Sequence, residues 1–546
     1  MKKTLILAFA LLASLCACTK QIEIQEDSQK QTIIAHVNVA TKVAYSENTA
    51  GGGSGLSSVW EEGDKFLAIQ DGTTVIEFTL IDGAGSNQAT FQAEAEGVTS
   101  ETQWTAVLGS SASPHTSEIH CGYLGQSGKL SGIGAYNYVK AIGEGLEPVF
   151  DFDGGEKLSY ILRVKLPAGV KCIEYTPCGY NKITSSSSDI INLNSGEQDD
   201  YTSSSRVSTI TLDSAASAGD IVYISVPCLD CSNTHNLTNS NKQHQNLIAG
   251  IVLTFLNDTE ADATASTGVV INNDLREKGG KITTVNCSGM TLMSRPRPAD
   301  AIEFQTSNVS ADYHSSSYQR AASVYSYWAP YNLGASTASE AGRYLMFGEF
   351  QQHDLGVNPS TSIYAYYTSS SSGYMSMGHT NSKLIDNSNN TTFYSIQGSK
   401  YDAARVLWGT SWQMPHIIHL WAIYDNSENT QSIQGQCVRF TNSRTGNYID
   451  VPVAGCYKNG SHNDTAYTVL WSADKNQRSA TNAGWNAAYA LYVKNDLSDK
   501  AVDRYELCNA IPVRPVLATS YVSDDPLPYN GPENIGSAPV WEEQVF

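Results

Sequence analysis

Charge is scarce in this chain. Asp, Glu, Lys and Arg make up 16% of its 546 residues, against roughly 25% in an average globular protein. The shortage falls hardest on the basic side. There are 34 Lys and Arg against 54 Asp and Glu, a formal net charge of −20. A field of that sign repels phosphate, which argues against general nucleic-acid binding and against anionic membranes as partners. No apolar run reaches the ~18 residues that span a bilayer. Heptads and a Gly-X-Y repeat are missing, while 41% of residues are hydrophobic. Coiled coil, collagen and wholesale disorder are therefore excluded. Catalytic signatures are missing as well. The chain has no nucleophile elbow, no phosphate-cradling Gly loop, no dinucleotide fingerprint and no Ser-His-Asp order.

What is present is polar, uncharged and turn-rich: Ser, Thr and Asn, with 43 Gly and 30 Tyr. The length suits two to four domains. Lys2 and Lys3 precede an apolar run from Thr4 to Leu15, too short to cross a membrane but right for a secretory segment. Leu15-Cys16-Ala17-Cys18 follows and resembles the bacterial lipoprotein signal. The resemblance implies cleavage after residue 17, lipidation of Cys18 and a lipid anchor in the outer membrane at the cell surface. Setting aside Cys16 and Cys18 leaves nine cysteines, an odd number for an exported chain. Cys228-Leu-Asp-Cys231 is a lone CxxC, read as structural rather than as a zinc or redox site.

From Gln31 the pattern becomes periodic. Ile33, Ala35, Val37 and Val39 alternate with polar neighbours, as in a half-buried strand. Phe66–Ile69 and Val75–Phe78 flank Asp71-Gly72, a pair that favours a type I′ hairpin. Strands are expected at Ala89–Phe91, Tyr160–Leu166, Cys172–Tyr175, Thr209–Leu212, Ile221–Val226, Ile248–Phe255 and Lys281–Val285, with Gly/Asn/Ser turns between. Such a series argues for β-sandwiches.

Val59-Trp60-Glu61-Glu62-Gly63-Asp64-Lys65 and Gly85-Ser86-Asn87-Gln88-Ala89-Thr90-Phe91 resemble the fimbrillin-like lipoproteins of the Bacteroidetes. Phe150-Asp151-Phe152, Val222–Pro227 and Gly279-Gly280-Lys281 extend the resemblance over about 31–293. It implies two fimbrillin/transthyretin-like β-sandwich domains in a pilus subunit. It also implies assembly with other pilus subunits by strand addition, in which backbone hydrogen bonds give affinity. The family's processing Arg has no counterpart near Ala40–Tyr45, where Lys42 stands, and the first Arg is Arg163. That departure points to a tip, anchor or unpolymerised surface subunit more than to a shaft subunit.

Ser294-Arg295-Pro296-Arg297-Pro298 reads as a linker, because Pro resists helix. Seven of the nine Trp follow it. Helices are expected over Tyr401–Trp408, capped by Gly409, and from Pro415 through Ile417, Leu420, Trp421 and Tyr424. Tyr327–Ala335, Gly342–Glu349, Asp402–Pro415, Val451–Gly455, Leu470-Trp471-Ser472 and Val513-Arg514-Pro515-Val516 are similar to the Fibrobacter-type major paralogous domain, over about 320–520. That similarity implies a C-type-lectin-like fold related to formylglycine-generating enzymes. Where the family has Arg-Met-Pro-Thr and a Glu, this chain has Gln413-Met414-Pro415-His416 and lacks the Glu.

Candidate sites are few. His416 and His419 stand three apart, close enough to share a metal, but no third ligand accompanies them, and a structural pair is the plainer reading. Cys437, Cys456 and Cys508 match no catalytic motif. Glu147-Pro148-Val149 and Gly484-Trp485-Asn486 do not complete a calcium-lectin signature. No metal, cofactor or catalytic residue is therefore expected. Tyr364, Tyr367, Tyr374 and Trp485 are the candidate ligand-binding residues, because aromatic faces stack on sugar rings. The expected fold is mainly β: two N-terminal β-sandwiches followed by an α+β C-type-lectin-like domain. The expected divisions are signal 1–17, tether 18–30, sandwiches 31–155 and 156–293, linker 294–312, lectin-like domain 313–520 and tail 521–546. The expected role is a non-enzymatic pilus component, a tip adhesin for a glycan or protein ligand. The alternatives are a surface glycan-binding lipoprotein outside any pilus, or a formylglycine-generating-type enzyme.

Overall fold

The structure, a computed structural model, describes residues 30–38, 44–47, 56–176, 180–186, 188–191, 207–228, 251–271, 282–312, 318–348, 350, 396–398, 401–424, 426–458, 461–475, 487–506 and 509–522. Cys18, Tyr364, Tyr367, Tyr374 and Trp485 lie outside the described residues, as do Lys42 and the end of the tail. The chain is mainly β.

The first region is built on one eight-stranded sheet. Its order is Val149–Asp151, Gln31–Asn38, Gln88–Ala95, Thr74–Asp82, Lys65–Gln70, Gln103–Leu108, Val139–Glu144 and Glu156–Lys157. The alternation in Gln31–Asn38 turns Ile33, Ala35 and Val37 inward. They meet Phe66, Phe78, Phe91, Trp104 and Phe150, contributed by the same sheet. The sheet therefore curls around its own core, and its opposite stretches act as the two layers. Asp71 (φ 46°) and Gly72 (φ 73°) both take the left-handed conformation that a type I′ turn requires. The Asp71 carboxylate accepts from the Gln103 N–H at 2.7 Å, tying the hairpin tip to the next strand. The two resemblance-bearing stretches touch. Trp60 packs edge-on to Phe91 at 4.9 Å, its N–H bonds to the Ser86 carbonyl, and its carbonyl accepts from Gly85 N–H. Asp64 accepts from the Glu61 N–H at 2.8 Å, closing the turn in which Gly63 has φ 87°.

The second region is a sandwich of two sheets. One holds Ile221–Pro227, Ser159–Lys165 and Ile282–Asn286. The other holds Ser208–Thr211, Cys172–Thr176, Ile251–Leu256, Ala265–Ile271 and Met293–Ser294. Leu162, Val164 and Ile224 from the first sheet meet Ile173, Leu253 and Phe255 from the second. A further four-stranded sheet crosses the expected boundary near residue 155. It pairs Glu118–Cys121 with Tyr180–Ile183.

The expected linker is corrected by the structure. Ile302–Asp312 is an eleven-residue strand, antiparallel to Tyr318–Trp328. Arg295, only 1% exposed, is core rather than tether. Its ion pair and the two Trp indoles that bond to this stretch hold it in place: Trp408 Nε1 donates to the Ser294 carbonyl and Trp412 Nε1 to the Pro296 carbonyl.

Beyond it lie further small antiparallel sheets and two helices, α1 (Ala403–Trp408) and α2 (Ile417–Tyr424). Asp402 caps α1 through Ala404 N and Arg405 N, and Gly409 (φ 95°) ends it. Pro415 does not open α2. The helix begins two residues later, and the Ala473 N–H bonds to the Pro415 carbonyl. Val513–Val516 is buried throughout. Arg514, with 0% exposure, donates to Asn332 Oδ1 at 2.8 Å and to the Ala329 and Asp450 carbonyls. This one guanidinium joins two of the resemblance-bearing stretches, Val513–Val516 and Tyr327–Ala335, and reaches the residue before a third.

Candidate ligand cleft

An open cleft of about 520 Å³ lies in the C-terminal region, lined by Lys458, Asp464, Tyr467, Tyr492, Asp499, Asp503, Arg504, Tyr505 and Asn509. Its back wall is the sheet Tyr467–Lys475, Ala487–Lys494 and Lys500–Glu506. The pleat sorts that sheet's side chains. Leu470, Tyr489, Leu491 and Val502 pack with Ile417, Leu420 and Ile423 of α2. Val469, Trp471, Ala488 and Ala490 join a second core on which Tyr467, Tyr492 and Tyr505 are packed, half-buried.

The three rings form a row. Tyr467 and Tyr492 are 5.9 Å apart and Tyr492 and Tyr505 are 6.1 Å apart, both near edge-to-face. Trp471 backs Tyr505 at 6.4 Å and is anchored by its indole N–H on the Leu345 carbonyl. Burial holds the Tyr505 and Tyr492 phenols above their ordinary pKa, with neighbouring acids adding to it. The hydrogen bond to Asp499 does the same for Tyr467. All three hydroxyls therefore stay neutral at physiological pH.

Each charge in the cleft already has a partner. Lys458 pairs with Asp464 at 2.6 Å and lies 5.0 Å from the Tyr505 ring centroid. Tyr467 Oη donates to Asp499 at 3.0 Å, and Arg504 lies 3.7 Å from Asp503. Burial pushes the Cys456 thiol up to about 12, so it remains a thiol, and it donates to Asp464 at 3.4 Å. Local turns deliver these groups. Asp464 takes φ 52° beside the hairpin Cys456–Lys458/Ser461–Asn463. Asp499 closes the turn between two strands of the back wall, accepting through its carbonyl from Lys494 N–H. Asn509, 4% exposed, also lines the cleft.

Sequence reasoning passed over this cleft, because its residues come from separate turns and strands. One signal was available: the alternation Tyr467, Val469, Trp471 against Ala488, Ala490, Tyr492, which places these side chains on one face. His416 and His419 do meet, as part of a helix start. The His416 N–H donates to His419 Nδ1 at 3.1 Å, and His416 Nδ1 lies 2.6 Å from the Asp474 carboxylate. Burial, then the neighbouring His416, pushes His419 down to about 3, so it is neutral. No group of three or more metal-ligating side chains occurs among the described residues. The six described cysteines, Cys437 and Cys456 among them, are buried thiols.

A second charge cluster joins the C-terminal region to the second sandwich. Glu174 accepts from Thr410 N and Oγ1 at 2.9 and 2.8 Å. Glu260 accepts from Ser411 N at 2.9 Å and pairs with Arg295 at 2.5 Å. Thr254 and Ser266 hydroxyls donate to the Val406 and Leu407 carbonyls of α1. At Gly268 an added Cβ would sit 1.9 Å from the Val406 carbonyl oxygen, so only glycine admits the helix. This cluster is closed to ligands.

No family model matches the chain, and no curated protein matches it. Three solved structures are similar to part of it. One is a candidate cell adhesion protein of Bacteroides uniformis, 13% identical with a TM-score of 0.26, covering 50% of this chain and 98% of that one. One from Bacteroides ovatus, described likewise, is 12% identical with a TM-score of 0.26 over 49% and 97%. One from Parabacteroides distasonis is 8% identical with a TM-score of 0.23 over 44% and 83%. Likeness at this level establishes neither a shared fold nor a shared role.

Proposed function

We propose that this chain is a surface adhesion lipoprotein of the fimbrillin type, anchored through Cys18 and carried as a pilus tip component. The two β regions are its assembly base, taking neighbouring pilus subunits by strand addition. The C-terminal region, lectin-like in organisation, is its recognition end. It works by binding, with no chemistry. The observation that carries this reading is the open aromatic cleft on a region clamped to a β-sandwich by buried, hydrogen-bonded charges. A clamp of that kind transmits load from ligand to base. The decisive experiment is immunogold microscopy of intact native cells with antibody against residues 313–520. Label at fibre ends is the expected result. Diffuse label over the envelope replaces the tip role with that of a solitary surface binder. Label only after permeabilisation overturns adhesion altogether.

A further inference from the structure

We infer that the cleft bounded by Tyr467, Tyr492, Tyr505 and Asn509 is a metal-independent site for a neutral oligosaccharide. The inference rests on the adhesion reading for its biological setting, but the site stands on its own geometry. Volume comes first: about 520 Å³ falls within the range of small-molecule sites. The lining comes second. Three half-buried tyrosine rings, spaced 5.9 and 6.1 Å and meeting edge to face, add apolar patches to a lining that is otherwise polar. A pyranose matches that surface, with C–H faces for the rings and hydroxyls around its rim.

Electrostatics narrow the class further. Asp464 and Asp503 face Lys458 and Arg504, and Asp499 already accepts from Tyr467. A divalent cation would have to displace those partners. A phosphate or sulfate would meet three carboxylates against two cations. A Lys-rich peptide would have to compete with Lys458 and Arg504 for the same acids. A hydroxyl needs no such exchange. A carboxylate oxygen accepts from an added donor while keeping its ion pair, because each oxygen has two lone pairs.

The test uses the full-length chain in detergent. Isothermal titration is run with trisaccharides ending in galactose, mannose or N-acetylglucosamine, and with an oligolysine peptide. Saturable binding of at least one trisaccharide, unchanged by EDTA, is expected. Asp499→Asn and Tyr492→Ala should each weaken it about tenfold or more, the scale of one lost charge-assisted hydrogen bond or stacking face. Binding of oligolysine alone, binding abolished by EDTA, or no saturable binding of any trisaccharide overturns the inference. The two readings fail separately. Cells that adhere equally well with Tyr492→Ala keep the adhesion role and lose the sugar site. Purified protein that binds sugar while its label stays inside the envelope does the reverse.

Discussion

Two clusters in this protein use the same kinds of side chain to opposite ends. At the joint, Glu174, Glu260, Arg295 and Arg405 meet between the second sandwich and α1. In the cleft, Asp464, Asp499, Asp503, Lys458 and Arg504 surround three tyrosines. At the joint Glu174 and Arg295 are 2% and 1% exposed; Glu174 accepts from the Thr410 N–H, and Arg295 donates to the Trp408 and Ala263 carbonyls. In the cleft each carboxylate is paired yet keeps an exposed side. Burial with dense pairing makes a fastener; half-burial with exposed lone pairs makes a binding surface. Composition does not separate the two.

Substitutions sharpen the contrast. The largest effect is expected at Arg295. Arg295→Ala strands the Glu260 carboxylate and removes a donor to the Ala263 and Trp408 carbonyls. Breaking a buried pair costs about 3–5 kcal/mol. Urea denaturation checks it, and a loss below about 1 kcal/mol would place the joint among ordinary surface pairs. Next is Asp402, fully buried, whose carboxylate accepts from Gly398 N, Ala404 N, Arg405 N and Met414 N. Asp402→Ala should cost about 2 kcal/mol, since a lost cap and several stranded N–H groups act together. Asp402→Asn, which keeps an acceptor, should recover part of it.

The joint should also respond to pH. Burial first, then the nearby Glu174 charge, raises the Glu260 carboxyl from 4.5 to about 7, although Arg295 opposes the shift. The folded state therefore holds more protons than the unfolded chain between those two values. Stability falls as pH rises across that window and levels off above it. Glu260→Gln should flatten this slope, read as the denaturation midpoint between pH 4.5 and 7.5; an unchanged slope would assign it to another group, such as Asp402, raised to about 6 by burial.

The smallest effect on stability is expected in the cleft. Asp503→Asn removes one member of a 3.7 Å exposed pair and should cost under about 1 kcal/mol. A cost comparable to that at Arg295 would erase the distinction between fastener and binding surface.

Legibility in the sequence followed the range of the interactions. Asp71-Gly72 announced its hairpin, because positive φ at both positions is a property of the dipeptide itself. The inward alternation of Ile33, Ala35 and Val37 is equally local. So is the Gly409 stop of α1. Pro415 misled, because a proline tolerated in a first turn also suits the residue before a helix, and only the bond from Ala473 to its carbonyl settles which. The Ser294–Pro298 stretch misled for a related reason. Its prolines do keep it out of an α-helix, but an irregular stretch serves a segment pinned under two tryptophans as well as a free tether.

The sequence alone therefore determined the mainly β class, a set of strands before residue 294, the two α-helices of the C-terminal region, and the acidic, charge-poor composition. These rest on periodicity and turn chemistry, which act over a few residues. Tertiary structure alone decided which charges are hidden and which are offered. Arg295 and Arg514 read like any arginine until distant carbonyls close around them, over separations of 113 and 185 residues. The cleft likewise exists only where a hairpin, a turn and three strands bring Lys458, Asp499 and Asn509 to one place. Burial is a property of packing between distant segments, and no local pattern records it.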